Sequence, residues 1–551
     1  MATVYVNDQA VDIGDDRLNC IQAAERAGVT IPHYCWHAAL SIVASCRMCL
    51  VEVGERKPDG TVAMQPKVVP GCQTPVKDGM VIRTADAKGK DAQERTLESL
   101  LLNHPLDCPV CDKAGECFLQ DYSFQFGKAQ SRMVDEKNTP PNKPDIGPNI
   151  SLFTDRCIMC SRCVRFTREI SGTAELHVTN RGTHSEIDIF EGHPLANKLA
   201  TNVVDLCPVG ALASKDFLYS QRVWNLKTVN GVCTGCSTGC SIQVDSNKDI
   251  VYRLRPRFNP RSQGHFMCDE GRLGYHHSND SARLRQYLVR DAGGTRAVDW
   301  TLAADICRSG FKVAAEKNAG RVWFVFSPSM TIEEAWLLAA YARQVSPFAK
   351  LAIGPIPMIG EDDTYPKDRK GRAAKPVKFT IRAEKVPNMR GVRAILAHFQ
   401  KDFYDYHEFL RTARAGEIDA CFISAGYSPL VYRHSVEEAD ALGGVGLLVV
   451  QELFCSPLSD RAHVVVPASA FSEKEGCFVN YAGLAQAMHA GCIPLQGLRT
   501  DGQFFLELQQ RKGLAHAANL RREIARSVAA FKPLEVGDLG DHGVFLEKLQ
   551  G

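Results

Sequence analysis

Fifteen of the chain's twenty-one cysteines lie between Cys35 and Cys268, in short-spaced groups. Disulfides would scatter them, whereas closely spaced thiols mark metal sites, because thiolate ligands must converge on one centre. Four sets follow from the spacing. The first is Cys35, Cys46, Cys49 and Cys72, with gaps of ten, two and twenty-two residues. The second is His104, Cys108, Cys111 and Cys117. The third is Cys157, Cys160 and Cys163, completed by Cys207 in Cys207-Pro208-Val209-Gly210-Ala211. The fourth is Cys233, Cys236 and Cys240, completed by Cys268 after a gap of twenty-seven.

Two close cysteines with one before and one far after them suit a two-iron cluster, and the plant-type ferredoxin spacing has this shape with a shorter first gap. Structural zinc is the alternative, but it usually takes two close pairs and the first set has one. In the second set an imidazole replaces one thiolate, which makes a cluster less negative and raises its potential. A histidine beside a proline is otherwise a surface or capping residue; the cysteine triplet that follows is what marks His104. In two-cluster ferredoxins the cysteine before proline serves the other cluster, but only one such triplet occurs here, so the third set is expected to hold one [4Fe–4S] cube. Arg162 and Arg165 either offset its negative charge or are solvated on an exposed helix. In the fourth set Gly235 and Gly239 let the backbone turn its amides toward sulfur, with a zinc knuckle as the alternative. The isolated Cys20, Cys307, Cys421, Cys455, Cys477 and Cys492 read as small buried hydrophobes.

The elements that position these sets can be read in outline. Residues 3–6 and 10–13 alternate as two strands, a helix runs from about Leu18 to Ala27 and stops at Gly28, and Cys49, Val51 and Val53 alternate in a third strand. A turn at Pro58-Asp59-Gly60 and a return between Val68 and Val81 close a small α+β domain near residue 85. From Ala92 a helix with Leu97, Leu100 and Leu101 on one face runs to His104, where Pro105 ends it. Four prolines within 131–150 indicate an extended connector. Beyond residue 285 apolar runs such as Val322–Phe326, Ala420–Ser424 and Gly446–Val450 alternate with helical stretches such as Glu333–Gln344, the pattern of a largely parallel α/β sheet.

A chain of 551 residues, 45% hydrophobic and 23% charged, can bury several cores, and its net charge of +2 gives no reason to expect nucleic acid or an anionic membrane surface. The start lacks a basic, apolar leader, and no run reaches the ~20 apolar residues of a membrane span, so a cytoplasmic place is expected. No GxGxxG opens a helix and no Walker-type loop occurs, so nothing places NADH or flavin on this chain.

The order of the sets, with PHYCW at 32–36, CPVCDKAGECFLQ at 108–120 and RCIMCSRCVRF at 156–166, resembles the large iron–sulfur subunit of bacterial respiratory complex I and its 75-kDa mitochondrial relative. The fourth set is similar to a cluster of some bacterial members and of molybdopterin formate dehydrogenases, and HVVVPASAFSEKEGCFVNYAGLAQ at 463–486 looks like the molybdopterin-oxidoreductase family. The resemblance implies a multidomain α+β and α/β chain. Its parts would be a β-grasp [2Fe–2S] domain at 1–85, a His/Cys-ligated [4Fe–4S] domain at 86–130, a ferredoxin-like [4Fe–4S] domain at 131–220, a fourth-cluster domain at 221–285 and a reduced molybdopterin-type scaffold at 286–551.

It further implies one [2Fe–2S] and three [4Fe–4S] clusters and no molybdopterin, since Cys307 does not look like a molybdenum ligand. The activity implied is electron relay within a proton-translocating NADH:quinone oxidoreductase, with the NADH, flavin and quinone sites elsewhere. The implied partners are a flavin- and NADH-binding subunit, a small [2Fe–2S] subunit and quinone-side iron–sulfur subunits, which alone link the chain to the membrane. The alternative is a subunit of an NAD-linked formate dehydrogenase or hydrogenase. Two positions depart from the family pattern: Ala44 and Ala114 stand where glycine, or at the second glycine or serine, is usual. At positive φ an alanine costs on the order of 1 kcal/mol.

Overall fold

In Thr3–Val6 and Gln9–Asp12 the side chains of Val4, Val6 and Val11 turn inward, and Asn7 and Asp8, both at positive φ, make the tight turn that matches strand twist. This hairpin opens a computed structural model that describes residues 2–549. The chain forms two compact units, one of residues 1–225 with 366–376 and one of 226–365 with 377–551.

The first unit begins with a sheet ordered Gln9–Asp12, Thr3–Val6, Met80–Arg83, Leu50–Arg56, Val62–Met64, in which only the pairing of Thr3–Val6 with Met80–Arg83 is parallel. Helix Cys20–Arg26 packs Ile21 and Ala24 against Val4, Val51 and Ile82 of that sheet. Asn19 and Gln22 cap it reciprocally, and the Asn19 amide also donates to the carbonyl of Cys72 at 3.0 Å. The next helix, Ala87–Leu101, starts before the expected Ala92 because its first turns are polar and carry no apolar period. It also ends short of His104, since a residue before proline disfavours helical φ/ψ, so His104 sits on the following loop.

Residues 127–149 contain no helix or strand. Ile150–Leu152 then pairs antiparallel with Leu212–Ser214, and between them helix Arg162–Phe166 runs on as a wide π turn, Thr167–Ser171, ending at Gly172. Residues 366–376 close behind that turn: the Lys367 amide donates to the Ile170 carbonyl at 2.9 Å. Gly172 has φ +74, and a Cβ there would lie 2.6 Å from the carbonyl oxygen of Asp368.

The second unit starts with the antiparallel strands Lys227–Val232, Ser241–Asn247 and Ile250–Pro256. Its larger sheet has seven strands, ordered Gly294–Val298, Tyr287–Asp291, Val464–Pro467, Leu447–Glu452, Ala420–Ser424, Val322–Phe326, Lys350–Ile353. The last five are parallel to one another, and the first two form an antiparallel hairpin at the edge. Phe324 and Phe422 face one layer, with Leu337 and Leu338 of helix Ile332–Val345, while Trp323 and Cys421 face Phe409 of helix Tyr406–Arg414 on the other. Burial on both faces is why these strands read as continuous apolar runs. The chain is thus a multidomain α+β and α/β protein. No helix among the described residues is long and apolar enough to cross a membrane.

Candidate iron–sulfur centres

The first set is gathered by the small sheet. Strand Leu50–Arg56 leaves from Cys49, and Cys72 follows Val69–Pro70, which pairs with Leu50 and Val51. Gly71 permits that approach, for a Cβ there would lie 3.1 Å from the Cys49 carbonyl. The four thiols are linked in a row, Cys46 to Cys35, Cys35 to Cys72 and Cys72 to Cys49. Shared protons hold Cys35 and Cys49 down and push Cys46 and Cys72 up. The loop uses left-handed residues without glycine, Ala44 at φ +50 and Arg47 at φ +59. Ala44 is therefore strained as its departure from the family pattern warned; Ala114 is not at positive φ, and Gly115, at φ +86, takes that role.

The second set lies on a loop from His104 to the N-terminal end of helix Phe118–Phe126. Burial, helped by the nearby charges of Lys137 and Arg156, lowers the His104 imidazole to about 4, which keeps it neutral and able to offer a lone pair. Burial raises Cys111, and pushes Cys117 up to about 11 with Cys111 adding to it; Cys108 is exposed. Arg222 holds the loop, donating to the Cys111 carbonyl at 2.8 Å and to the Pro109 carbonyl.

The third set closes on a small cavity lined by Cys157, Cys160, Cys163 and Cys207 with apolar walls from Leu152, Ile187 and Val209. Met159 at φ +52 and Ser161 at φ +57 bend the loop round it, and the Met159 amide donates to Cys157 Sγ at 3.4 Å. Burial drives the Cys163 thiol well up and Cys160 to about 11, with Arg162 and Arg165 pulling the latter down. Enclosed thiols of this kind become thiolates when a metal replaces their protons.

Within this unit the three sets adjoin. Gly210, three residues after Cys207, sits against the second set: a Cβ there would lie 2.2 Å from Cys111 Sγ. The Phe118 amide donates to the Pro208 carbonyl at 3.0 Å, and Arg156 donates to Asp107 at 2.7 Å. Toward the first set the contacts come from Arg162 and Arg165, only 4% and 8% exposed, rather than solvated as an exposed helix would leave them. The spacing of the sets carries no trace of this burial, because the covering surface comes from a segment more than a hundred residues away.

In the second unit Cys233, Cys236 and Cys240 occupy the connection between strands Lys227–Val232 and Ser241–Asn247, closed by the Cys233 amide donating to the Cys240 carbonyl at 2.8 Å, and Cys268 joins them from the N-cap of helix Asp269–Leu273. The four cysteines line a small cavity with Glu270 and Lys385, whose ammonium is 2.7 Å from that carboxylate. The Gly235 amide donates to Cys233 Sγ at 3.4 Å as expected. Gly239 instead donates to the Cys236 carbonyl, and the second amide aimed at sulfur is Gly271, 3.3 Å from Cys268 Sγ. The molybdopterin-like segment 463–486 buttresses the loop: Asn480 donates to the Thr238 carbonyl at 3.0 Å and Gln486 to the Gly239 carbonyl at 2.7 Å.

Of the isolated cysteines, Cys20, Cys307, Cys421, Cys477 and Cys492 are buried, but Cys455 is exposed on the loop after strand Leu447–Glu452, so the reading of all six as core hydrophobes fails there. Among the described residues no three His, Cys, Asp or Glu side chains are placed to hold a single metal ion. The third and fourth sets each line an enclosed cavity.

Five family models match the chain: "2Fe-2S iron-sulfur cluster binding domain" over residues 1–87, "NADH-ubiquinone oxidoreductase-G iron-sulfur binding region" over 93–132, "NADH-quinone oxidoreductase subunit 3, ferredoxin-like domain" over 147–213, "Molybdopterin oxidoreductase Fe4S4 domain" over 226–280 and "Molybdopterin oxidoreductase" over 292–511. Each of the four sets falls inside one of the first four. The mitochondrial NADH dehydrogenase [ubiquinone] iron-sulfur protein 1 of Solanum tuberosum is 39% identical over 298 residues, 54% of this chain and 39% of that one. A NADH-quinone oxidoreductase subunit of Rickettsia bellii is 36% identical over 300 residues, 54% of this chain and 42% of that one. The NADH-ubiquinone oxidoreductase 75 kDa subunit of Reclinomonas americana is 34% identical over 337 residues, 61% and 47% of the two. The matched region thus spans less than half the length of these curated relatives. A chain of an NAD+-reducing [NiFe]-hydrogenase crystal structure aligns with a TM-score of 0.35 at 25% identity, covering 40% of this chain and 91% of that one.

Proposed function

We propose, from the premise that this chain is a relative of the large iron–sulfur subunit of NADH-quinone oxidoreductase, that it relays electrons between NADH oxidation and quinone reduction. Its clusters, one [2Fe–2S] at Cys35, Cys46, Cys49 and Cys72 and three [4Fe–4S] at the other sets, would supply one-electron carriers. The protein's own part is to fix positions, exclude water and tune potentials through ligand type, hydrogen bonds and burial. The observation that carries the reading is the packing of three ligand sets against one another in a single unit, with Gly210 against Cys111 and Arg165 spanning two ligand loops.

The domain limits are those read from the sequence, 1–85, 86–130, 131–220, 221–285 and 286–551. Residues beyond 285 serve as a scaffold without molybdopterin: Cys307 is wholly buried inside helix Trp300–Asn318, and Asn480 and Gln486 hold the fourth loop's carbonyls. A flavin- and NADH-binding subunit, a small [2Fe–2S] subunit and quinone-side iron–sulfur subunits are the partners, at the cytoplasmic face of the cell membrane.

The test is iron, acid-labile sulfide and molybdenum per chain on anaerobically purified protein. About 14 iron atoms, the content of one two-iron and three four-iron clusters, without molybdenum is the expected result. About 10 would remove one cube from the assignment, and stoichiometric molybdenum would overturn the scaffold reading.

A further inference from the structure

The first gap of the first set, ten residues between Cys35 and Cys46, is longer than a plant-type ferredoxin loop needs. In the structure the extra residues are what helix Arg162–Phe166 and the turn after it hold. Arg162 donates to the Trp36 carbonyl at 2.6 Å and to the Leu206 carbonyl, beside Cys207, at 3.2 Å. Its guanidinium also lies 6.0 Å from the ring of Phe118, the neighbour of Cys117. Arg165 donates to the carbonyls of Cys35 and Ser41, and to the carbonyl of Cys160 at 3.3 Å. Glu169, one turn on, accepts from the Ser41 amide at 2.8 Å and from its hydroxyl.

Both guanidinium groups are buried, and every hydrogen bond they make in the structure goes to a backbone carbonyl. A buried cation without an anionic partner carries a desolvation penalty. The anions that would offset it are the thiolate-ligated clusters on either side, each more negative when reduced. Carbonyls fix where the charges sit; the clusters supply what they neutralise. An arginine suits this place better than a lysine, because its rigid fork sets Nη2 on the Cys35 and Cys160 carbonyls while Nη1 holds that of Ser41.

We propose that Arg162 and Arg165 are positioning residues that lock the Cys35 set to the Cys157 set, and that their buried charges raise the potentials of those two clusters together. The proposal rests on the cluster assignment above. It makes residues 36–45 a docking loop between two redox modules rather than a simple ligand spacer.

The test is an EPR-monitored redox titration of the whole chain, wild type against R165Q and R165K. R165Q should lower the midpoints of the [2Fe–2S] centre and of the Cys157 centre, cutting each one's ratio of reduced to oxidised form about tenfold at the wild-type midpoint, which for a one-electron couple is about 59 mV. The His104 and Cys233 centres should hold theirs. R165K keeps the charge but loses the fork and should fall between. A shift at one centre only, at all four, or at none overturns the proposal.

If R165Q purifies short of iron, loss from both the Cys35 and Cys157 sets, with R165K retaining them, supports the lock, and loss from one set alone refutes it. Absence of these signals in the wild type would instead sink the cluster assignment, an outcome separate from unmoved midpoints in a loaded chain.

Discussion

At the level of single residues the ligands announce themselves, because thiolate chemistry demands both residue type and spacing. The residues that shape their surroundings do not. Gly210 reads as the tail of a Cys-Pro motif, yet its hydrogen faces Cys111 Sγ of another set, and a methyl there would lie at 2.2 Å. Gly210→Ala should therefore displace Cys111 and cost the chain about four iron atoms, with the His104 centre missing from the EPR spectrum. A full iron complement in that variant would show that the loop can yield. Ala44 is the opposite case, a side chain where the backbone asks for none: its φ is +50. Replacing it by glycine should stabilise the chain by about 1 kcal/mol, read as a higher urea midpoint for the N-terminal unit. An unchanged or lower midpoint would mean that the strain is relieved elsewhere.

At the level of elements, strands and helices were legible where burial imposes a period. The hairpin at the start and the apolar runs of the second unit lie within two residues of their expected limits, whereas the start of helix Ala87–Leu101 was hidden by its polar first turns. The segment 463–486 was recognisable as a motif but not as to what it does. It threads charged side chains into the core. Glu473 pairs with Arg283 at 2.6 Å, and Lys474 lies 3.0 Å from each of Glu334 and Asp501. With Lys474 8% exposed, these are buried ion pairs. Lys474→Met would leave two carboxylates facing each other without a cation, a loss of about 3–5 kcal/mol. A thermal or urea transition of the second unit unmoved by this change would show that the pairs are dispensable. Pairings of this kind join residues 140 positions apart, so no local pattern reveals them.

At the level of the whole molecule, the division between a cysteine-rich first part and an α/β second part was visible in composition, but the path of the chain was not. Residues 366–376 are polar, carry no period, and join the first unit through backbone atoms, the Lys367 amide on the Ile170 carbonyl and two carbonyl oxygens against Gly172. Backbone contacts leave no mark in side-chain order. The three cysteine sets of that unit are complete by Cys207, but the piece that closes behind the turn at 167–171 comes only after residue 365. At 5–20 residues per second a ribosome takes roughly ten to thirty seconds to cover that stretch. During synthesis, then, the ligands are all present before their enclosure is, and the order of translation leaves an interval for iron delivery ahead of final closure.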